Sequence, residues 1–265
     1  MKKSTYNAII VIFILVAGAT AAIYFVPSIV LSADEKVNSL LKETLLRLVA
    51  AAIGVFFTVT TPAKVVLVPK IKKLPKTLLL TLPCFAVALA NFPFSALISG
   101  SAVVERAELI PLLALECMAI GVFEETFFRS MFQNYIAARF AKKKNCVFIT
   151  VVLTSVGFSA WHLLNLLSGA SLGGTALQLV YTFLLGIMFS YAVIATGDLW
   201  LPIAMHAIFD FGGALVPNLG SGEFQDTVFW ILTVSVGVAC GVYVFIGLLR
   251  AQKKVDALNA QSADV

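Results

Sequence analysis

Four stretches of this chain, 8–30, 77–98, 174–196 and 227–249, each run the length of a bilayer span without a single charged residue. A helix needs roughly 20 apolar residues to cross roughly 30 Å of hydrocarbon. A soluble fold has too little polar surface to hide four such rods. Composition agrees: 60% of the residues are hydrophobic, 12% are charged and the mean hydropathy is +0.97, whereas an ordinary soluble domain is roughly 25% charged. These values exclude a soluble globular enzyme, a disordered chain and a nucleic-acid-binding domain, so the formal charge of +5 is not a nucleic-acid signal.

Four weaker segments, 44–61, 109–128, 146–167 and 199–217, complete the pattern. The predicted fold class is therefore an all-α, polytopic integral membrane helical bundle of about eight transmembrane helices. The second segment holds Arg47 and follows a mixed stretch from Asp34 that reads as an interfacial amphipathic turn. With a cytoplasmic N-terminus, 15 of the 19 basic residues fall on the inner side, and only Lys36, Lys42, Arg47 and Arg106 on the outer. That split follows the positive-inside rule and predicts a plasma-membrane protein with both termini in the cytoplasm. Lys2-Lys3 and the small residues Ala17-Gly18-Ala19 also suit a cleaved signal peptide, but the apolar run is long for one, which favours a retained anchor. The expected organisation is a scaffold of N-terminal helices (1–108), a catalytic core (109–217), a last spanning helix (218–250) and a polar, mobile tail (251–265). Cys84, Cys117, Cys146 and Cys240 have no metal-type spacing and read as core residues.

A charge at the centre of a spanning helix costs roughly 2.5–3.5 kcal/mol on insertion scales, so ionisable residues there are functional candidates. Most lie between Glu116 and Asp210. In Phe123-Glu124-Glu125-Thr126-Phe127-Phe128-Arg129, Glu125 and Arg129 share a helix face and can pair. Glu124 points about 100° away, free for chemistry. The plainer reading is a helix end with interfacial charges. Phe158 and His162, four apart, put a ring beside an imidazole; the plainer reading is a satisfied core histidine. His206 and Asp210 are again four apart, so the carboxylate can orient the imidazole or share a ligand with it, or the two form a structural pair. Pro202 and the turn at Gly197–Trp200 predict a broken or short helix there. If the fourth helix runs on to about Ala141, Glu124 lies roughly 27 Å before Lys142 and His162 roughly 26 Å after Asn145, level with each other in a hairpin.

These three motifs resemble the CPBP family of intramembrane proteases, which includes CAAX prenyl endopeptidases related to the Ras-converting enzyme and bacteriocin-immunity proteins of the Abi type. Two glutamates and an arginine (Glu124, Glu125, Arg129), a Phe–His pair (Phe158, His162) and a final His motif (His206, Asp210) occur in the family's order. The resemblance covers about residues 110–215. It implies peptide-bond hydrolysis of a membrane-associated CAAX-type or small-peptide substrate. Glu124 would activate water with help from His162, Glu125 and Arg129 would form a supporting ion pair, and His206 and Asp210 would stabilise the oxyanion or help bind a metal. The CAAX branch commonly carries Asn where this chain has Asp210. The cofactor stays open between none and a divalent metal such as zinc, for which Glu124, His162 and His206 are the ligand set. Two other readings stay open: a non-catalytic membrane immunity or scaffold protein, and an ion-coupled transporter. The oligomeric state is not legible.

Overall fold

A computed structural model of the protein describes residues 17, 18, 20–22, 25–27, 30–60 and 73–261. The first expected span falls largely outside them. The rest is helical apart from one two-stranded ribbon: α1 (Glu35–Thr60), α2 (Leu74–Ala90), α3 (Phe94–Ser99), β1 (Ala102–Val104), α4 (Ile110–Glu125), a π-helical turn (Thr126–Phe132), α5 (Gln133–Phe140), α6 (Cys146–Trp161), a 3₁₀ segment (His162–Ser168), α7 (Leu172–Thr196), α8 (Trp200–Leu219), β2 (Gly220–Gly222) and α9 (Thr227–Gln261). β1 and β2 pair antiparallel, with Val103 opposite Ser221.

Among the described residues, four helices are long and apolar enough to cross a membrane: Cys146–Ser168, Leu172–Thr196, Trp200–Leu219 and Thr227–Gln261. Their outward faces are apolar, as on α9, where Val234, Val238 and Val242 are exposed. Lipid is the solvent such faces require. The protein is an all-α integral membrane bundle; the structure does not confirm the expected eight spans.

Several expected boundaries move for local reasons. The stretch from Asp34 is no separate turn. Asp34 caps α1, its Oδ1 accepting from Lys36 N at 2.9 Å and Val37 N at 3.3 Å, which relieves orphan amides of the first turn. The third segment breaks at Asn91–Pro93, after which α3 runs separately. The fourth continues through the π turn to Phe140, the long bent helix that the hairpin requires. α8 is not broken: Pro202 sits in its first turn, where a missing N–H costs little, and Gly197 (φ 74°) turns the chain from α7. Among its described residues, 251–261, the tail is not loose, because α9 continues to Gln261 and buries Gln252 and Val255. All four cysteines are buried and free.

The helices meet where glycine permits. A Cβ on Gly121 would stand 2.8 Å from Ile203 O and one on Gly54 2.3 Å from Thr126 Oγ1, so α4 is gripped by α8 on one side and by α1 on the other. Phe123, Phe127, Phe128 and Phe158 form an aromatic core behind the contact.

Candidate active site

The site starts from a distortion of the fourth helix. Thr126 Oγ1 donates back to Val122 O (2.7 Å) or Phe123 O (2.9 Å), competing with the regular ladder at the place where the helix widens into its π turn. The widened turn still leaves Glu125 and Arg129 facing each other, Nε to Oε2 2.8 Å, with both side chains 0% exposed. Arg129 lies over the Phe158 and Phe189 rings, 4.7 and 5.7 Å from their centroids. Its Nη1 reaches Ser190 Oγ at 3.5 Å.

The other oxygen of Glu125 accepts from His206 Nδ1 at 2.9 Å. The imidazole is stacked on Phe189 (5.2 Å, 25°) and meets the Phe158 ring edge-on. With Nδ1 committed, Nε2 faces two further carboxylates, Asp210 Oδ2 at 3.5 Å and Glu124 Oε2 at 3.8 Å. Three acceptors this close repel one another unless a proton lies among them. A proton on Nε2 or on either carboxylate relieves that repulsion.

His162 also lies against Phe158, ring centroids 5.0 Å apart. Its Nδ1 bonds to Phe158 O at 2.9 Å. A carbonyl only accepts, so the proton is on Nδ1 and Nε2 keeps its lone pair in the neutral ring. Among the described residues no hydrogen bond joins His162 to Glu124, and Glu124 Oε2 is buried without a hydrogen-bond partner. Exposure divides the cluster. Glu125, Arg129, Phe158 and His206 are buried, whereas Glu124, His162 and Asp210 are partly open.

The structure thus brings all seven predicted residues to one place and adds a link absent from the sequence reading: Glu125 joins Arg129 to His206. It also adds Phe189 and Ser190 from α7, ordinary apolar-run residues that carried no signal. Arg47, expected among outer-side charges, lies within α1 and pairs with Glu43 at 2.8 Å and with Glu116 of α4. Both had a signal, a charge inside an apolar run. The zinc set does not fit. Among the described residues no group of three His, Cys, Asp or Glu side chains is placed to hold a metal ion.

Residues 106–212 match the family model of the Rce1-like type II CAAX prenyl endopeptidases. The matched stretch carries all three motifs and spans less than half of the chain. No curated protein and no solved structure matches the chain.

Proposed function

We propose that the protein is an intramembrane endopeptidase that hydrolyses a peptide bond in a membrane-associated substrate, CAAX-type or a small peptide, with Glu124 as the base. The observation that carries this reading is the His206 imidazole, fixed by the buried Glu125–Arg129 pair so that Nε2 faces Glu124 and Asp210 within 4 Å. The match of residues 106–212 to the family model supports peptidase chemistry at the level of class.

In the proposed reaction Glu124 takes a proton from water while the water oxygen attacks the substrate carbonyl. A carboxylate with an oxygen free of hydrogen bonds, in a site of low polarity, suits that role. His162 accepts the water's hydrogen bond on Nε2 and aligns it. The proton shared by His206 and Asp210 donates to the developing oxyanion, which answers the replacement of the family's Asn: a bare Asp210 carboxylate would repel that charge, but Asp210 beside a proton does not. Glu124 then returns its proton to the leaving amine. Glu125 and Arg129 hold the ring and do not touch substrate.

Cytoplasmic placement of both termini belongs to the same proposal, on the excess of basic residues in the segments assigned to the inner side, and so does residence in the plasma membrane. The deciding experiment is mass spectrometry of membrane peptides from cells carrying the wild-type chain or Glu124→Gln at equal levels. New C-termini in the wild type alone are expected. Identical peptide sets would overturn the proposal.

A further inference from the structure

The helices alternate in direction, and one end of the bundle collects basic residues from three distant segments. Thr233 Oγ1 bonds to Ala90 O (3.0 Å), Cys240 Sγ lies 3.9 Å from Cys84 Sγ, and Tyr243 Oη bonds to Leu80 O (2.8 Å). α2 and α9 are therefore antiparallel, and the same register puts Lys73 level with Arg250. Lys73 and Lys76 are exposed there, as are Arg250, Lys253 and Lys254. The turn between α5 and α6 joins them. Gln252 Oε1 accepts from Val147 N at 2.9 Å, capping α6, and Asn259 Nδ2 reaches Ala141 O at 3.3 Å. These bonds bring exposed Arg139, Lys142, Lys143 and Lys144 beside the basic face of α9.

Helix dipoles explain only part of this gathering. Arg139 lies in the last turn of α5 and Lys142, Lys143 and Lys144 follow its end, where cations are favourable, but Lys73 and Lys76 open α2, where they oppose the dipole. Among the described residues none of the nine pairs with a carboxylate. The two acids at this end serve the protein itself: Asp256 Oδ1 accepts from Gln252 Nε2 at 2.8 Å, and Asp198 Oδ1 from Trp200 N at 2.8 Å. Most of the exposed apolar surface lies to one side of the charges, with only Leu74 and Leu258 exposed among or beyond them on α2 and α9. Leu78 and Leu79 are exposed just after Lys76, and Phe245, Ile246 and Leu249 just before Arg250. The basic surface therefore sits at the level where the hydrocarbon of a bilayer gives way to headgroups.

From this placement we propose that the surface is a binding site for anionic phospholipid headgroups, formed by docking of the α9 extension on the α5–α6 turn. Phosphates there meet lysines, arginines and the positive end of α6, while acyl chains lie on the adjoining apolar faces. The extension of α9 acts as a strut that joins two charge clusters into one site.

The test uses the purified full chain in micelles containing equal phosphatidylglycerol and phosphatidylcholine, with retained lipid quantified by mass spectrometry after detergent washing. We expect phosphatidylglycerol to be enriched by at least about fivefold, and the enrichment to fall steeply at about 0.5 M salt. Lys142→Gln/Lys143→Gln/Lys144→Gln and Arg250→Gln/Lys253→Gln/Lys254→Gln each lower it. Gln252→Ala, which changes no charge, lowers it too, because the clusters separate. Equal retention of the two lipids by the wild type overturns the proposal, whatever the variants do. Enrichment unaffected by Gln252→Ala overturns the strut. Peptidase activity is not read, so the result stands apart from the function proposed above.

Discussion

Glutamine at position 125 tests the division of labour between the two adjacent carboxylates. Glu125 and Arg129 are both fully buried, 2.8 Å apart, and Glu125 also holds His206 at 2.9 Å. Glu125→Gln keeps the shape but leaves the guanidinium without its counter-charge. Removing one partner of a buried pair costs about 3–5 kcal/mol. The double variant Glu125→Gln/Arg129→Met removes both charges, which recovers most of that loss, leaving about 1–3 kcal/mol for the weakened partner of His206. Glu124→Gln is different in kind. Its Oε2 makes no hydrogen bond and the side chain is 16% exposed, so the stability change stays within about 1 kcal/mol. Hydrolysis, if Glu124 is the base, falls by about 10²–10⁴-fold. Equilibrium unfolding in mixed micelles, followed by tryptophan fluorescence, reads the first quantity. Trp161, whose ring centroid is 6.1 Å from that of Phe127 beside the site, is a local reporter. The reasoning fails if Glu124→Gln destabilises as much as Glu125→Gln, or if the double variant is less stable than Glu125→Gln alone.

Gly121→Ala drives a methyl toward Ile203 O, a backbone atom that cannot swing aside; the separation of α4 from α8 costs about 1–3 kcal/mol and lowers activity. Gly237→Ala in α9, with nothing within 4 Å of the new carbon, is the control and gains about 0.5–1 kcal/mol; thermal unfolding of both variants checks the contrast. At the end of the bundle away from the basic surface, Arg106 holds the carboxyls of Asp34 and Glu108 below their usual range, chiefly through side-chain hydrogen bonds. A lowered folded-state pKa contributes stability above the unfolded value, and the contribution is lost as the pH falls through the folded one. The unfolding midpoint should therefore drop on acidification below about pH 4, and Arg106→Gln should flatten that part of the curve. An unchanged slope in the variant would show that other groups govern acid stability.

The sequence alone determined the solvent. Runs of twenty apolar residues cannot be satisfied in water, and in lipid a single chain of this pattern must be helical, because every backbone polar group has to find a partner internally. It also marked the candidate site, since an ionisable residue in such a run carries a desolvation cost that only a partner or a function offsets. Glu124, Glu125, Arg129, His162, His206 and Asp210 were legible for that reason, and the i, i+4 spacing gave the Glu125–Arg129 and His206–Asp210 pairs because both partners ride on one helix. Only the tertiary structure decided that the paired carboxylate, Glu125, also holds His206. The Glu125–His206 bond spans 81 residues and depends on how closely α4 approaches α8 at Gly121. Phe189, Ser190 and the Arg47–Glu116 pair entered by the same route. Helix periodicity fixes which residues share a face, but the rotation and distance of two helices are set by side-chain packing between them. No local pattern in either helix records that packing.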